Sequence, residues 1–188
     1  MKFTTILLTA SLAGAALGAA AQTRGPAPPP QDQSIVTAEA SPRAPTDTMN
    51  TRSTEFLMDA MRASLANARM GELAMEQSGD QRVRDYGARL KSDFSSHAAE
   101  IQQLLMPLDV PVPTQLSAEA ISHLAALTRL SGNEFDMAFV QQMIWTHTDA
   151  IERYGAQTHA NPDRSVHEFA AASLPLLREH LAKAEALR

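Results

Sequence analysis

Cysteine is absent from this chain of 188 residues. That excludes disulfides, thiolate zinc sites, a cysteine nucleophile and any lipid anchor that needs a thiol. Aromatic residues make up only 5% of the sequence and β-branched residues are few, whereas Ala, Leu, Met, Gln and Glu abound. Such a composition favours helices over sheets. The net charge is -5, with acidic and basic residues interspersed. No basic stripe exists to neutralise a phosphate backbone, so the sequence points away from nucleic acid as a partner. Nor does it carry a Gly-rich phosphate loop or a nucleophile elbow, which argues against nucleophilic enzymes. Past the first residues there is no apolar run long enough to span a bilayer, and no alternating pattern for barrel strands.

What is present divides into three parts. Lys2, the apolar stretch Ile6 to Leu17 and the small residues Ala19, Ala20 and Ala21 read as an export signal over residues 1–21. The apolar stretch falls short of the roughly 20 residues of a spanning helix, so cleavage before Gln22 is expected, leaving no transmembrane segment. The protein is then exported, to the periplasm or another part of the cell envelope. Residues 22–50 contain Pro26, Pro28, Pro29, Pro30, Pro42 and Pro45 among small polar residues. This composition predicts a Pro-rich disordered linker, because it cannot bury enough surface to offset its ordering entropy. Residues 51–188 carry the helical domain.

That domain breaks at recognisable stops. A first helix is expected from about Ser53 to Ser78, ended by Gly79, with Asp80 as cap of the next. The second helix should reach about Met106 before Pro107 stops it. Ser117 can cap a shorter helix to Leu130. Ser131 and Gly132 end that one, and Asn133 can cap the third long helix, to about Thr158. Asn161, Pro162 and Asp163 read as a cap, a proline at the first helical position and an acid in the first turn of the fourth, which runs to Leu187. Within it, Pro175 must release the carbonyl of Ala171. Short links make antiparallel neighbours, and one long connection from Pro107 to Gly132 is the ferritin-like arrangement. The expected fold is all-α, a four-helix bundle running up, down, down, up with a short extra helix in the crossover.

Steps of three and four residues pick out the inward stripe of each long helix. The first gives Phe56, Ala60, Ala63, Asn67, Met70 and Ala74, with Glu72 on its shoulder. The second gives Val83, Gly87, Leu90, Phe94, His97, Ile101 and Leu104. The third gives Asp136, Val140, Met143, His147, Ala150 and Tyr154, and the fourth Val166, Ala170, Ser173, Leu177, His180, Ala184 and Leu187. Three helices therefore each point one histidine at the core, whereas His123, His159 and His167 read as surface residues. Trp145 falls opposite the stripe of its helix, and cover by Ile121, Leu124 and Leu127 of the crossover helix is expected.

Imidazoles and carboxylates on facing helices can converge on one ion, so Asp93, His97, His147 and His180 form a candidate site for a divalent metal. A dinuclear oxidation centre would need Glu-x-x-His on two helices, and the chain has none. Counting the rise from the turns sets His97 about one turn below His147, and His180 about one to two turns above it. The default reading of each ring is a core histidine bonded to a neighbouring polar group. The methionines read as core filler.

The run Leu130-Ser131-Gly132-Asn133-Glu134-Phe135-Asp136, then Met143 and His147, Asn161-Pro162-Asp163, Leu174-Pro175 and His180-Leu181 resemble a widespread bacterial family of exported proteins. Its members are often labelled predicted outer membrane proteins and carry a ferritin-like domain of unknown function. Gly71-Glu72-Leu73-Ala74 fits it too. The resemblance implies a ferritin-like bundle in the envelope, without an established activity. Its polar core matches here at Asp93, His147 and His180. The chain departs from it at Asn67, where the pattern has a glutamate, and at Phe94, where it has a histidine. Three functions follow: a non-enzymatic envelope protein with a binding or stress-related role; a metal-binding bundle, oxidase or sequestrant, using the four residues above; and an assembly protein that contacts a partner through Trp145.

Overall fold

The computed structural model describes residues 51–188; the expected export signal and Pro-rich linker lie outside the described residues. The domain is all-helical, with no strand among the described residues. Its elements are α1 (Thr51–Gln77), α2 (Gln81–Leu105), α3 (Ala118–Leu127), α4 (Gly132–Ala160) and α5 (Arg164–Glu185), with a 3₁₀ turn at Met106–Leu108 after α2. No helix among them is long and apolar enough to cross a membrane.

Local chemistry accounts for most boundaries. The Asp80 carboxylate accepts from the backbone N–H of Arg82 at 2.8 Å, and the Ser117 hydroxyl oxygen accepts from that of Ala120 at 3.1 Å. Both satisfy donors that a helix start leaves orphaned. Gly132 takes a positive φ of 55°, the conformation expected of a residue that separates two helices. Three boundaries differ from expectation, the first being the end of α3, which stops at Leu127 instead of Leu130. Ser131, not Asn133, occupies the cap of α4, and Asn133 instead points its amide at the sulfur of Met137. At α5 the cap is Asp163, and the helix starts at Arg164. Asn161 sits outside it, closing a turn in which its side-chain oxygen accepts from the N–H of Asp163 at 2.8 Å. α5 continues through Pro175.

α1 packs chiefly on α2, and α4 on α5, with lesser contacts between α1 and α4 and between α2 and α5. The first pair comes unusually close. A Cβ placed on Gly71 would stand 2.4 Å from the carbonyl oxygen of Gly87, and one placed on Gly87 would stand 2.7 Å from that of Gly71. Two glycines facing each other let the helix backbones touch. Side-chain hydrogen bonds fix the ends of the two pairs. Ser53, at the start of α1, donates to Asn161 beyond the end of α4 at 2.8 Å, and Ser78, just past α1, donates to Asp136 in the first turns of α4 at 2.5 Å. α1 and α4 therefore run in opposite senses.

Most of the expected inward residues are buried, but Phe56, Ala63, Leu104, Asp136 and Leu187 are only half-buried, and Leu57, Phe135 and Phe139 take inner positions that the stripes left out. Leu57, Leu90, Phe94, Ile101, Met143, Leu177, His147 and His180 are among the fully buried side chains. Trp145 is a correction. It is 54% exposed, as is Ile121, and the ring of His123 on α3 meets it edge-on with centroids 6.4 Å apart. Of the three residues expected to cover it, Leu127 is buried, Leu124 half-buried and Ile121 exposed.

Candidate functional site

Three buried imidazoles occupy the interior, and their surroundings differ. His97 on α2 bridges two helices: its Nδ1 lies 2.9 Å from the Ser64 hydroxyl on α1 and its Nε2 lies 3.0 Å from the Ser173 hydroxyl on α5. Each serine also reaches the carbonyl four residues back on its own helix, Ala60 or Phe169, at 2.8 Å. A neutral imidazole has one N–H and one lone pair, so one of the two serines turns its hydrogen to the ring. Both nitrogens are occupied.

His147 and His180 are only half satisfied. The His147 Nε2 lies 3.1 Å from the Tyr86 hydroxyl, which itself points at the backbone carbonyl of His180 at 3.3 Å. A carbonyl only accepts, so the phenol donates there and receives the N–H of His147. The His180 Nε2 lies 3.1 Å from an Asp93 carboxylate oxygen, which likewise only accepts. In both rings the hydrogen is thereby assigned to Nε2 and Nδ1 carries a bare lone pair. Neither Nδ1 has a hydrogen-bond partner, though both are buried. The two rings sit with centroids 5.4 Å apart at 31°.

Phe94 is the apolar lid of this pair. It stacks on His147 at 5.6 Å and 15°, and tilts against His180 at 5.2 Å. The low dielectric around these rings disfavours their charged forms. Burial lowers the pKa of His97 to about 4, and burial with the nearness of His180 lowers that of His147 to about 3. His180 is also lowered, because burial outweighs the opposing pull of Asp93. All are neutral at physiological pH. Asp93 reaches the outer layer, where Arg89 holds it at 2.5 Å. It borders a cleft of about 270 Å³ between α2 and α5, also lined by Ser96, His97, Glu100 and Ser173.

Among the four residues named from the sequence, His180 touches Asp93 and lies against His147, while His97 keeps to its two serines. The heights counted along the helices were too far apart for His147 and His180, since side chains reach across about a turn of helix and the two rings meet. Among the described residues, no three His, Asp or Glu side chains are placed to hold one metal ion. Glu72 stays at the surface, paired with Arg69 at 2.6 Å and Lys91 at 2.8 Å. Tyr86 and Ser64 were missed. Tyr86 lies three residues after Val83 and four before Leu90, so a second stripe alongside the first would have found it; Ser64 lies four residues after Ala60 and three before Asn67.

No curated protein matches the chain. Two solved structures share its fold. A DUF305 fragment from Deinococcus radiodurans superposes with a TM-score of 0.65 at 16% identity, covering 74% of this chain and 96% of that one. CopM in the Cu(I)-bound form superposes with a TM-score of 0.60 at 15% identity, covering 71% and 93%. At such identities the likeness concerns the fold alone. The family model of a domain of unknown function, DUF4142, matches residues 38–187, and the chain belongs to that family.

Proposed function

We propose that this chain is an exported, non-enzymatic binding protein of the bacterial envelope, whose helical core takes up one transition-metal ion between His147 and His180. One observation carries the reading: two neighbouring buried imidazoles both present an Nδ1 without a partner. A buried nitrogen lone pair normally finds a donor, and leaving one bare is costly. A metal ion supplies the missing partner, and imidazole suits copper, zinc, nickel and iron. The other face of each ring supports this, because ligating histidines commonly give their second N–H to a carboxylate or another fixed oxygen, as His180 does to Asp93 and His147 to Tyr86.

On this reading Asp93 positions His180 and is not itself a ligand. His97 ties α1 to α5 and stays outside the site. Two protein nitrogens are a small donor set, so the affinity should fall below that of four-ligand structural sites. The Cu(I)-bound neighbour of like fold makes copper the first ion to test. The architecture we infer is the ferritin-like four-helix bundle, α1, α2, α4 and α5, with the segment carrying α3 as its crossover. The N-terminal signal pattern supports export to the periplasm or another envelope compartment.

Elemental analysis after loading with Cu(I), Zn(II) or Ni(II) and desalting tests the proposal. One equivalent of a single metal is expected, lost in His147→Ala and in His180→Ala and kept in His97→Gln, each checked for helical content. Stoichiometric metal that survives both alanine variants, or no retention of any of the three ions, would overturn it.

A further inference from the structure

A second cleft has no histidine in its lining. It opens between α1, α3 and α4 and has about 400 Å³, a volume typical of small-molecule sites. Met70, Met143 and Asn67 are among its lining residues. Asn67 is only 4% exposed. Its side chain makes no hydrogen bond within the described residues, although a primary amide offers donors and acceptors that burial normally pairs. An unpartnered amide lining a cleft is a waiting contact.

The charges around the cleft decide what could fill it. Arg62 is paired with Asp59, and Arg153 with Asp149, each at 2.8 Å. These guanidinium groups already have their anions. Glu119, in the first turn of α3, has no ion pair or hydrogen bond within the described residues, so it is the uncompensated charge among the lining residues. The remaining wall is Trp145, half exposed, and an indole face attracts cations more strongly than any other side-chain ring. The exposure of this tryptophan, which its helix alone does not explain, then has a use.

We propose that this cleft binds a small organic ammonium ion with an apolar body. The cationic head shares the mouth with the Glu119 carboxylate and the Trp145 ring, the body lies along Met70 and Met143, and the Asn67 carbonyl accepts an N–H. A carboxylate ligand of the same size would meet an unpaired anion and no free guanidinium.

Trp145 is the only tryptophan in the chain, so its emission reports on the cleft directly. The full protein is titrated with 2-phenylethylamine and, separately, with 3-phenylpropionate. A saturable change with the amine and none with the acid is expected. Glu119→Gln, a surface change, should weaken the amine about two- to fivefold. Asn67→Leu should abolish saturation while raising the melting temperature, because it replaces an unpartnered amide with an apolar side chain. No saturable response to the amine, an equal response to the acid, or an unchanged half-saturation in Glu119→Gln would each overturn the proposal.

Discussion

Substituting alanine for glycine in a helix should have opposite signs at two places in this protein. At Gly71 the added Cβ would lie 2.4 Å from the carbonyl oxygen of Gly87 and 2.8 Å from the backbone nitrogen of Lys91. Both are backbone atoms that cannot rotate away, so α1 and α2 must separate along their whole contact. Overpacking of this kind costs about 1–3 kcal/mol and more where backbone must move. Alanine's better helix propensity returns up to about 1 kcal/mol. We expect a net loss of about 2 kcal/mol, a fall in melting temperature of roughly 6 °C for a domain of this size. Gly155, inside α4, has nothing within 4 Å of an added Cβ. There only the propensity gain operates, so Gly155→Ala should stabilise by about 0.5–1 kcal/mol. Urea unfolding followed by circular dichroism, with both variants beside the parent, reads the two midpoints. If Gly71→Ala proved as stable as Gly155→Ala, the close approach of α1 and α2 would be wrong.

Two further outcomes follow from the core. In the metal-free protein, His97 and His147 ionise near 4 and 3, whereas an unfolded chain takes up these protons near 6.5. The unfolded state binds more protons below that value, so stability is full above about pH 6.5 and declines as pH falls toward the folded values; by pH 5 each of the two rings should have cost about 2 kcal/mol. A urea midpoint that stays level from pH 7 to 4.5 would contradict this. Pro175→Ala restores an N–H opposite the Ala171 carbonyl and should raise stability by about 1–2 kcal/mol after the larger entropy of the unfolded chain is counted; calorimetry would show a higher melting temperature, and a lower one would mean that the site at Pro175 is packed around the ring.

Much of the fold was legible because each long helix repeats its apolar residues at three- and four-residue steps. That spacing alone put His97, His147 and His180 inside, at 3%, 0% and 0% exposure. The capping roles of Asp80 and Ser117 were equally readable, since a short polar side chain before a helix has few other uses. Asn161 and Asp163 were harder. Both are good caps two residues apart, and only the turn closed by Asn161 decides that Asp163 takes the role. Trp145 could not be read at all, because coverage by α3 depends on which of its faces turns inward. The candidate site was half legible. Its imidazoles were found from periodicity, but the partners that distinguish them, Tyr86, Ser64 and Ser173, depend on helix rotation and relative height across the bundle, which spacing within one helix does not encode.

The phenol of Tyr86 has one hydrogen to give. While that hydrogen is committed to the main chain of α5 at His180, the ring on α4 has no choice of tautomer and must turn its basic nitrogen away from α2. Proton placement on one helix is thus dictated from a second by way of a third. Sliding α5 against α2 would release the phenol and let His147 reverse its polarity, so the readiness of that nitrogen to accept anything is tied to the register of the bundle itself.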